Sequence, residues 1–319
     1  MGEIHMKKLK IWVSKALAGV MTLMCFVGNS APLYSQAAES SASVTINETD
    51  SGNDVVHYVA LGDSITIGDS YVWKVSDYLK STYGNCVTNN LAVDGWQSGQ
   101  LLDALTNPAN SCYSYMRYAI SNADVITIDI GSNDLLQTTM QVIANCFSCD
   151  VTQIGPVTAE WSNKFHTLSG WKLYMHYLKA MVIARSINYE LNSGSVIPAA
   201  ISQFESNYKS IISVVSQLAP NAKIYIGNLY NPYVKAAVLY VGDYEVLNME
   251  RYAEVNLTKM NRIIANNAKG NVVVDLYNTI NDPKYIIGDV ANYDFNPHPN
   301  QDGQAAIAAK FIAAMKSGK

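Results

Sequence analysis

The run Val55-Val-His-Tyr-Val-Ala-Leu-Gly-Asp-Ser64-Ile65 decides the fold. Residues 55–61 are almost all apolar, rich in β-branched side chains, and too short for a helix. Such a run reads as a strand buried on both faces, the mark of a parallel sheet covered by helices. Gly62-Asp63-Ser64 then breaks the run as a turn and leaves a hydroxyl just beyond the strand's carboxyl end.

The pattern repeats outward. Further strand-like runs occupy 86–92, 125–130, 222–229 and 271–276. Residues 69–83 place Val72, Val75 and Leu79 on one helical face, with Asp69 or Ser70 as cap, and 98–105 does the same with Leu101, Leu102 and Leu105. Helices are also expected over 201–218, stopped by Pro220, and over 245–268 and 301–315. Strands alternating with helices imply a three-layer α/β/α domain on a central five-stranded parallel sheet. Residues 137–200 interrupt the rhythm, being too long for one crossover. Trp161, Phe165, Trp171, Tyr174, Tyr177 and Tyr189, partly at helical spacing, mark a helical insertion: a subdomain with its own small core, or a cap over the site.

Upstream, the chain changes character. Lys7, Lys8, Lys10 and Lys15 precede an apolar stretch over 16–27, and Ser35, Ala37 and Ala38 supply small residues before Glu39. This is the pattern of a secretory signal peptide over 1–38, cleaved after Ala37 or Ala38, and it implies an extracellular protein. A dozen apolar residues fall short of the ~20 needed to span a bilayer, so no stable membrane insertion is expected after cleavage. Residues 39–54, rich in Ser, Thr, Asn and Asp, read as a flexible leader, and 55–319 as the domain with its insertion.

Of 319 residues, 49% are hydrophobic and only 15% charged, which excludes disorder over most of the length. The net charge is −4; residues 1–38 hold four of the 22 basic and one of the 26 acidic residues, so the rest stands at −7. No basic stripe is left for nucleic acid. An uncharged polar surface, with 29 Asn and 21 Tyr in the chain, fits export. Four cysteines follow the leader, and in an exported protein Cys86–Cys112 and Cys146–Cys149 are the expected disulfides. Zinc and thiol-redox readings of Cys146-Phe-Ser-Cys149 lack a second Cys/His pair and a thioredoxin-like context. His57, His166 and His176 form no ligand cluster, so neither metal nor cofactor is expected.

Function in an open parallel sheet gathers beyond the carboxyl ends of the strands. The segments there are Gly62-Asp63-Ser64-Ile65, Asn90 to Gly95, Gly131-Ser132-Asn133-Asp134, and Asp294-Phe-Asn-Pro-His298-Pro299. Each alone is an ordinary turn or loop. Together they bring one nucleophile, two oxyanion donors and a base with an acid to one edge. The spacing lacks the second glycine of a G-x-S-x-G elbow and the Gly-Lys-Ser/Thr of a phosphate loop.

These four segments resemble the blocks of the SGNH hydrolases, the GDSL esterase/lipase family, over about Val55 to the C-terminus. The resemblance implies a flavodoxin-like sheet and a secreted serine ester hydrolase. Ser64 would be the nucleophile, His298 its general base, and Gly95 with Asn133 the oxyanion hole, joined by the Ser64 N–H. The motif departs at Ile65, where the family has leucine, and at the acid, which normally stands three residues before the histidine. Phe295 is there, so Asp294, four before, is the expected orienter, with Asp289, a backbone carbonyl or water as substitutes. Asp63, Trp96 and Tyr230, with Tyr233, are expected along the substrate cleft. The resemblance implies an ester substrate: a lipid, a small ester or an acetylated glycan. Alternatives are a carbohydrate O-acetyl esterase of this fold, a non-catalytic binding module keeping it, or a thiol oxidoreductase using Cys146 and Cys149.

Overall fold

A computed structural model describes residues 55–67, 70–241, 243–292 and 294–318. The expected signal peptide and leader lie outside them, as does Asp69. Strands β1 (Val55–Gly62), β2 (Asn85–Asn90), β3 (Val125–Asp129), β4 (Lys223–Gly227) and β7 (Val272–Val274) form one sheet. Its order is β2-β1-β3-β4-β7, every pairing parallel. The strand order reverses beside β1, so the carboxyl ends of β1 and β3 form the crevice where such sheets bind ligands.

Alternate residues of each strand feed two cores. Tyr58 and Ala60 face α1 (Tyr71–Tyr83) and α9 (Gln301–Lys316), in one cluster with Val72, Val75, Leu79 and Phe311. Val59, Leu61, Ile126 and Ile128 face the other way. There they meet α2 (Ser98–Thr106), α3 (Tyr113–Ser121), α4 (Ser132–Cys146), α7 (Val196–Leu218) and α8 (Met249–Asn267). Ser70 caps α1 by accepting the Val72 N–H, and Asn300 caps α9 from the Gly303 N–H.

The 137–200 segment consists of the end of α4, a 3-10 turn at Val151–Gln153, α5 (Ile154–Thr167), α6 (Gly170–Asn192) and the start of α7. It has no separate core: Ile154, Phe165, Leu173, Ala180 and Ile187 join the cluster that holds Leu135 and Phe204. Two further readings change. A hairpin of β5 (Leu239–Val241) and β6 (Tyr244–Leu247) precedes α8, so the helix expected from 245 begins at Met249, capped by Asn248. All four cysteines of the domain are free thiols, not the expected disulfides. Cys86 packs with the α1/α9 cluster and Cys112 with the opposite one, so the sheet lies between them. Cys146 and Cys149 bracket the end of α4, where the Cys149 thiol and N–H both turn to the Ala144 carbonyl.

Candidate active site

Ser64 sits in a tight turn at the end of β1. Asp63 builds that turn, its carbonyl accepting the Thr66 N–H at 3.0 Å and its Oδ1 the Ile65 N–H at 3.1 Å. Gly62 is required by close approach: a Cβ there would strike the Thr66 side chain and lie 2.7 Å from the Asp129 carbonyl. From the loop between β7 and α9, held rigid by Pro297 and Pro299, His298 reaches across. Its Nε2 lies 2.9 Å from Ser64 Oγ. Tyr230 steadies the loop by donating to the Pro297 carbonyl at 2.9 Å, and the His298 carbonyl accepts the Ile287 N–H. An imidazole nitrogen at that distance is positioned to take the hydroxyl proton.

The other ring nitrogen corrects the expected acid. His298 Nδ1 meets Asn296 Oδ1 at 2.8 Å, and Asp294 stands one step behind, its Oδ1 accepting the Asn296 N–H at 3.2 Å. The chain folds here as two successive Asx turns, and each turn places residue i+2 over its side chain. The four-residue spacing of Asp294 therefore does not bulge toward the ring. Phe295 is buried against Tyr233 instead.

Gly95 has φ +70°, a left-handed conformation that favours glycine, and its carbonyl accepts from Gln137. Asn133 opens α4 behind Gly131. Its Nδ2 donates to the Trp96 carbonyl at 3.1 Å and to Asp63 Oδ2 at 3.2 Å. Ser64, His298, Gly95, Asn133, Asp63 and Tyr230 line one cavity. It runs inward between Leu135, Leu136 and Thr139 of α4 and Met249, Tyr252, Ala253 and Leu257 of α8. Tyr233 joins this wall, but the expected Trp96 does not. Its side chain is buried in the core cluster with Leu101, and its carbonyl accepts from Asn133.

A family model for GDSL-like lipases and acylhydrolases matches residues 60–306. The chain belongs to that family.

Among solved structures, this GDSL-like acylhydrolase is similar to the lipase Lip_vut3 from a goat rumen metagenome. The TM-score is 0.51 at 18% identity, over 81% of this chain and 97% of that one. An extracellular lipase from Streptomyces rimosus matches with a TM-score of 0.46 at 16% identity, over 83% of this chain and all of the other. The first likeness is one of fold. A comparison with curated proteins gives no match.

The acylhydrolase buries three carboxyl groups here, Asp63 in the cavity wall and Asp129 and Asp134 close enough to act on Asp63. Burial and the charge of Asp129 push Asp63 well above the carboxylate range. Burial alone pushes Asp129 up to about 7, and its Oδ2 has no hydrogen-bond partner. Asp134 rises to about 6 through burial, although Ser98 donates to it from its N–H and hydroxyl. Burial also pushes His298 below the usual imidazole value, with Asp94 pulling the other way. Among the described residues, no group of three or more His, Cys, Asp and Glu is placed to hold a metal.

Ser64, Gly95, Asn133 and His298, all expected from the sequence, thus lie on one cavity, while Asn296 and the α8 wall are additions of the structure. The Asn-Pro-His-Pro run was the available signal for Asn296, since Asn two residues before a turn position favours an Asx turn.

Proposed function

We propose that this protein is an exported serine ester hydrolase that cleaves carboxylic esters bearing an apolar acyl group. The observation that carries the reading is the 2.9 Å contact between His298 Nε2 and Ser64 Oγ at the mouth of an apolar cavity.

Ser64 Oγ attacks the ester carbonyl while Nε2 takes its proton. The carbonyl oxygen gains charge beside the Ser64 and Gly95 N–H groups and the Asn133 amide. Fixed donors at such a point typically contribute roughly 3 kcal/mol each. His298 returns the proton to the leaving alcohol, and water then repeats the cycle on the acyl-enzyme. The acyl chain lies between α4 and α8, where Leu135, Met249, Ala253 and Leu257 favour methylenes over sugar hydroxyls. That lining favours an acyl hydrolase over a carbohydrate O-acetyl esterase.

Replacing Ser64 with Ala tests the reading on p-nitrophenyl acetate, butyrate and octanoate. Turnover should vanish, and so should covalent labelling by a fluorophosphonate. A wild-type protein that takes no label would be a binding module, and activity that persists without Ser64 sinks the mechanism. Acetate-only turnover, with activity on acetylated xylan, would move the substrate to glycans. Export is supported by the Lys-rich and apolar pattern of 1–38. The secreted chain should begin at Ala38 or Glu39, as read by N-terminal sequencing.

A further inference from the structure

We propose that Asn296 is the positioning residue for His298, so that this enzyme works through a neutral Ser64–His298–Asn296 relay in place of a carboxylate-ended one. The inference rests on the serine-hydrolase reading above and concerns how its base is held.

The contacts with Asn296 assign the ring tautomer. Asn296 Oδ1 accepts from the His298 backbone N–H at 3.1 Å and faces His298 Nδ1 at 2.8 Å. A backbone N–H only donates, so the amide atom there must be the oxygen. An amide oxygen only accepts, so Nδ1 must carry the ring hydrogen. Nε2 then presents its lone pair to Ser64 Oγ, the tautomer a general base needs. An asparagine that turned its NH2 to the ring would impose the wrong tautomer. Here the backbone contact prevents that flip.

Asn296 is itself held firmly. It is buried, its N–H is tied to Asp294 Oδ1, and its backbone packs on Gly288, where a Cβ would lie 2.7 and 2.8 Å from Asn296 atoms. Asp294 therefore acts on Asn296 and not on the imidazole.

A neutral acceptor orients the ring as a carboxylate would, without stabilising the imidazolium. Among the described residues, further loops bring charged and polar groups toward His298 besides Asn296. Asp94 comes from the loop after β2, Asp63 and Ser64 from the loop after β1, and Tyr230 from the loop after β4 by way of the Pro297 carbonyl. Among the described residues, the charge of Asp94 raises the proton affinity of His298, and burial outweighs it. His298 accordingly stays unprotonated to lower pH than a free imidazole, and the acid limb of kcat/KM should fall below the ordinary value near 6.5.

Three variants test this. Asn296→Ala should lower kcat by ~100-fold or more, the low end of what a well-placed base contributes, with KM within about twofold. Asn296→Asp should stay active and move the acid limb up by about one unit or more, because a carboxylate now faces the ring. Asp294→Asn should leave the acid limb where it is. Nitrogen-15 NMR of the His298 ring gives a readout independent of turnover: an Nδ1–H tautomer in the wild type and a raised titration midpoint in Asn296→Asp. An unmoved midpoint in Asn296→Asp, an Nε2–H tautomer, or a limb that follows Asp294→Asn overturns the proposal. Failure of the serine-hydrolase reading would show differently, as absent fluorophosphonate labelling with the ring tautomer unchanged.

Discussion

Both hydrogens of the Asn133 amide are engaged before any substrate arrives, one on the Trp96 carbonyl and one on Asp63 Oδ2. These contacts fix the amide plane, and they also mean that an oxyanion must compete for one of them. Asp63 is the partner that yields, because its buried carboxyl favours the neutral form, whose oxygen accepts more weakly than a carboxylate. Asn133→Ala should therefore cost 10²–10³-fold in kcat, as for other oxyanion donors, with little change in KM. A steady-state comparison on p-nitrophenyl butyrate decides it, and an unchanged kcat would remove Asn133 from the hole. At this scale much of the site was legible, because each strand delivers its next few residues to the same edge. Ser64, Gly95, Asn133 and His298 needed only the strand ends to be located. Asn296 was not legible, since spacing alone does not say which side chain of Asp294-Phe-Asn-Pro-His298 meets the ring. Trp96 was misplaced because the left-handed turn at Gly95 sends the following residue inward.

Helices α4 and α8 act as a pair, α4 presenting Asn133 at its start and both presenting apolar side chains to the cavity. Ala253 is small and buried on that wall, so Ala253→Trp should fill the space meant for the acyl chain. Octanoate turnover should drop at least ~10-fold relative to acetate, given 1–3 kcal/mol per excluded methylene in such pockets. An unaltered chain-length profile would place the acyl group elsewhere. Most strands of the main sheet were readable as short runs rich in β-branched residues, while the edge strand β2, Asn-Cys-Val-Thr-Asn-Asn, is mostly polar. The hairpin was hidden because β5 and β6 hold only a few residues and lead straight into the period of α8. Helix α3 was blurred by Tyr115 and Tyr118, both exposed beside the buried Met116, Ala119 and Ile120. Helix α6 is apolar on two sides, with Leu173, Ala180, Ala184 and Ile187 inward and Trp171, Met175, Leu178 and Val182 exposed opposite. A helix of that kind gives length without a single apolar face, which is why 137–200 announced helices and not their packing.

At the scale of the whole molecule, the four cysteines among the described residues are unbridged, so covalent closure between them contributes nothing to stability. The melting temperature should be the same with and without dithiothreitol, and a drop on reduction would restore the expected disulfides. The buried carboxyls impose a stronger dependence, on pH. Asp63, Asp129 and Asp134 all have folded-state values above the ordinary carboxylate, so the folded chain binds more protons than the unfolded one. Their contribution is complete below about pH 4 and is lost as pH rises through about 6 for Asp134 and about 7 for Asp129. His176 and His298, both pushed down by burial, act in the opposite sense. Their contribution is complete only well above about pH 6.5 and is lost as pH falls below it. Between pH 6.5 and 8.5 the tail of the histidine contribution still opposes the carboxyls, so Asp129 is isolated by comparing the wild type with a variant. Deprotonating Asp129 across that interval costs about 1 kcal/mol, roughly two degrees in melting temperature for a domain of this size. Asp129→Asn keeps the shape, removes the titration and should flatten the decline, as scanning calorimetry at the two pH values would read. A variant that still loses the full amount would move the pH sensitivity away from Asp129.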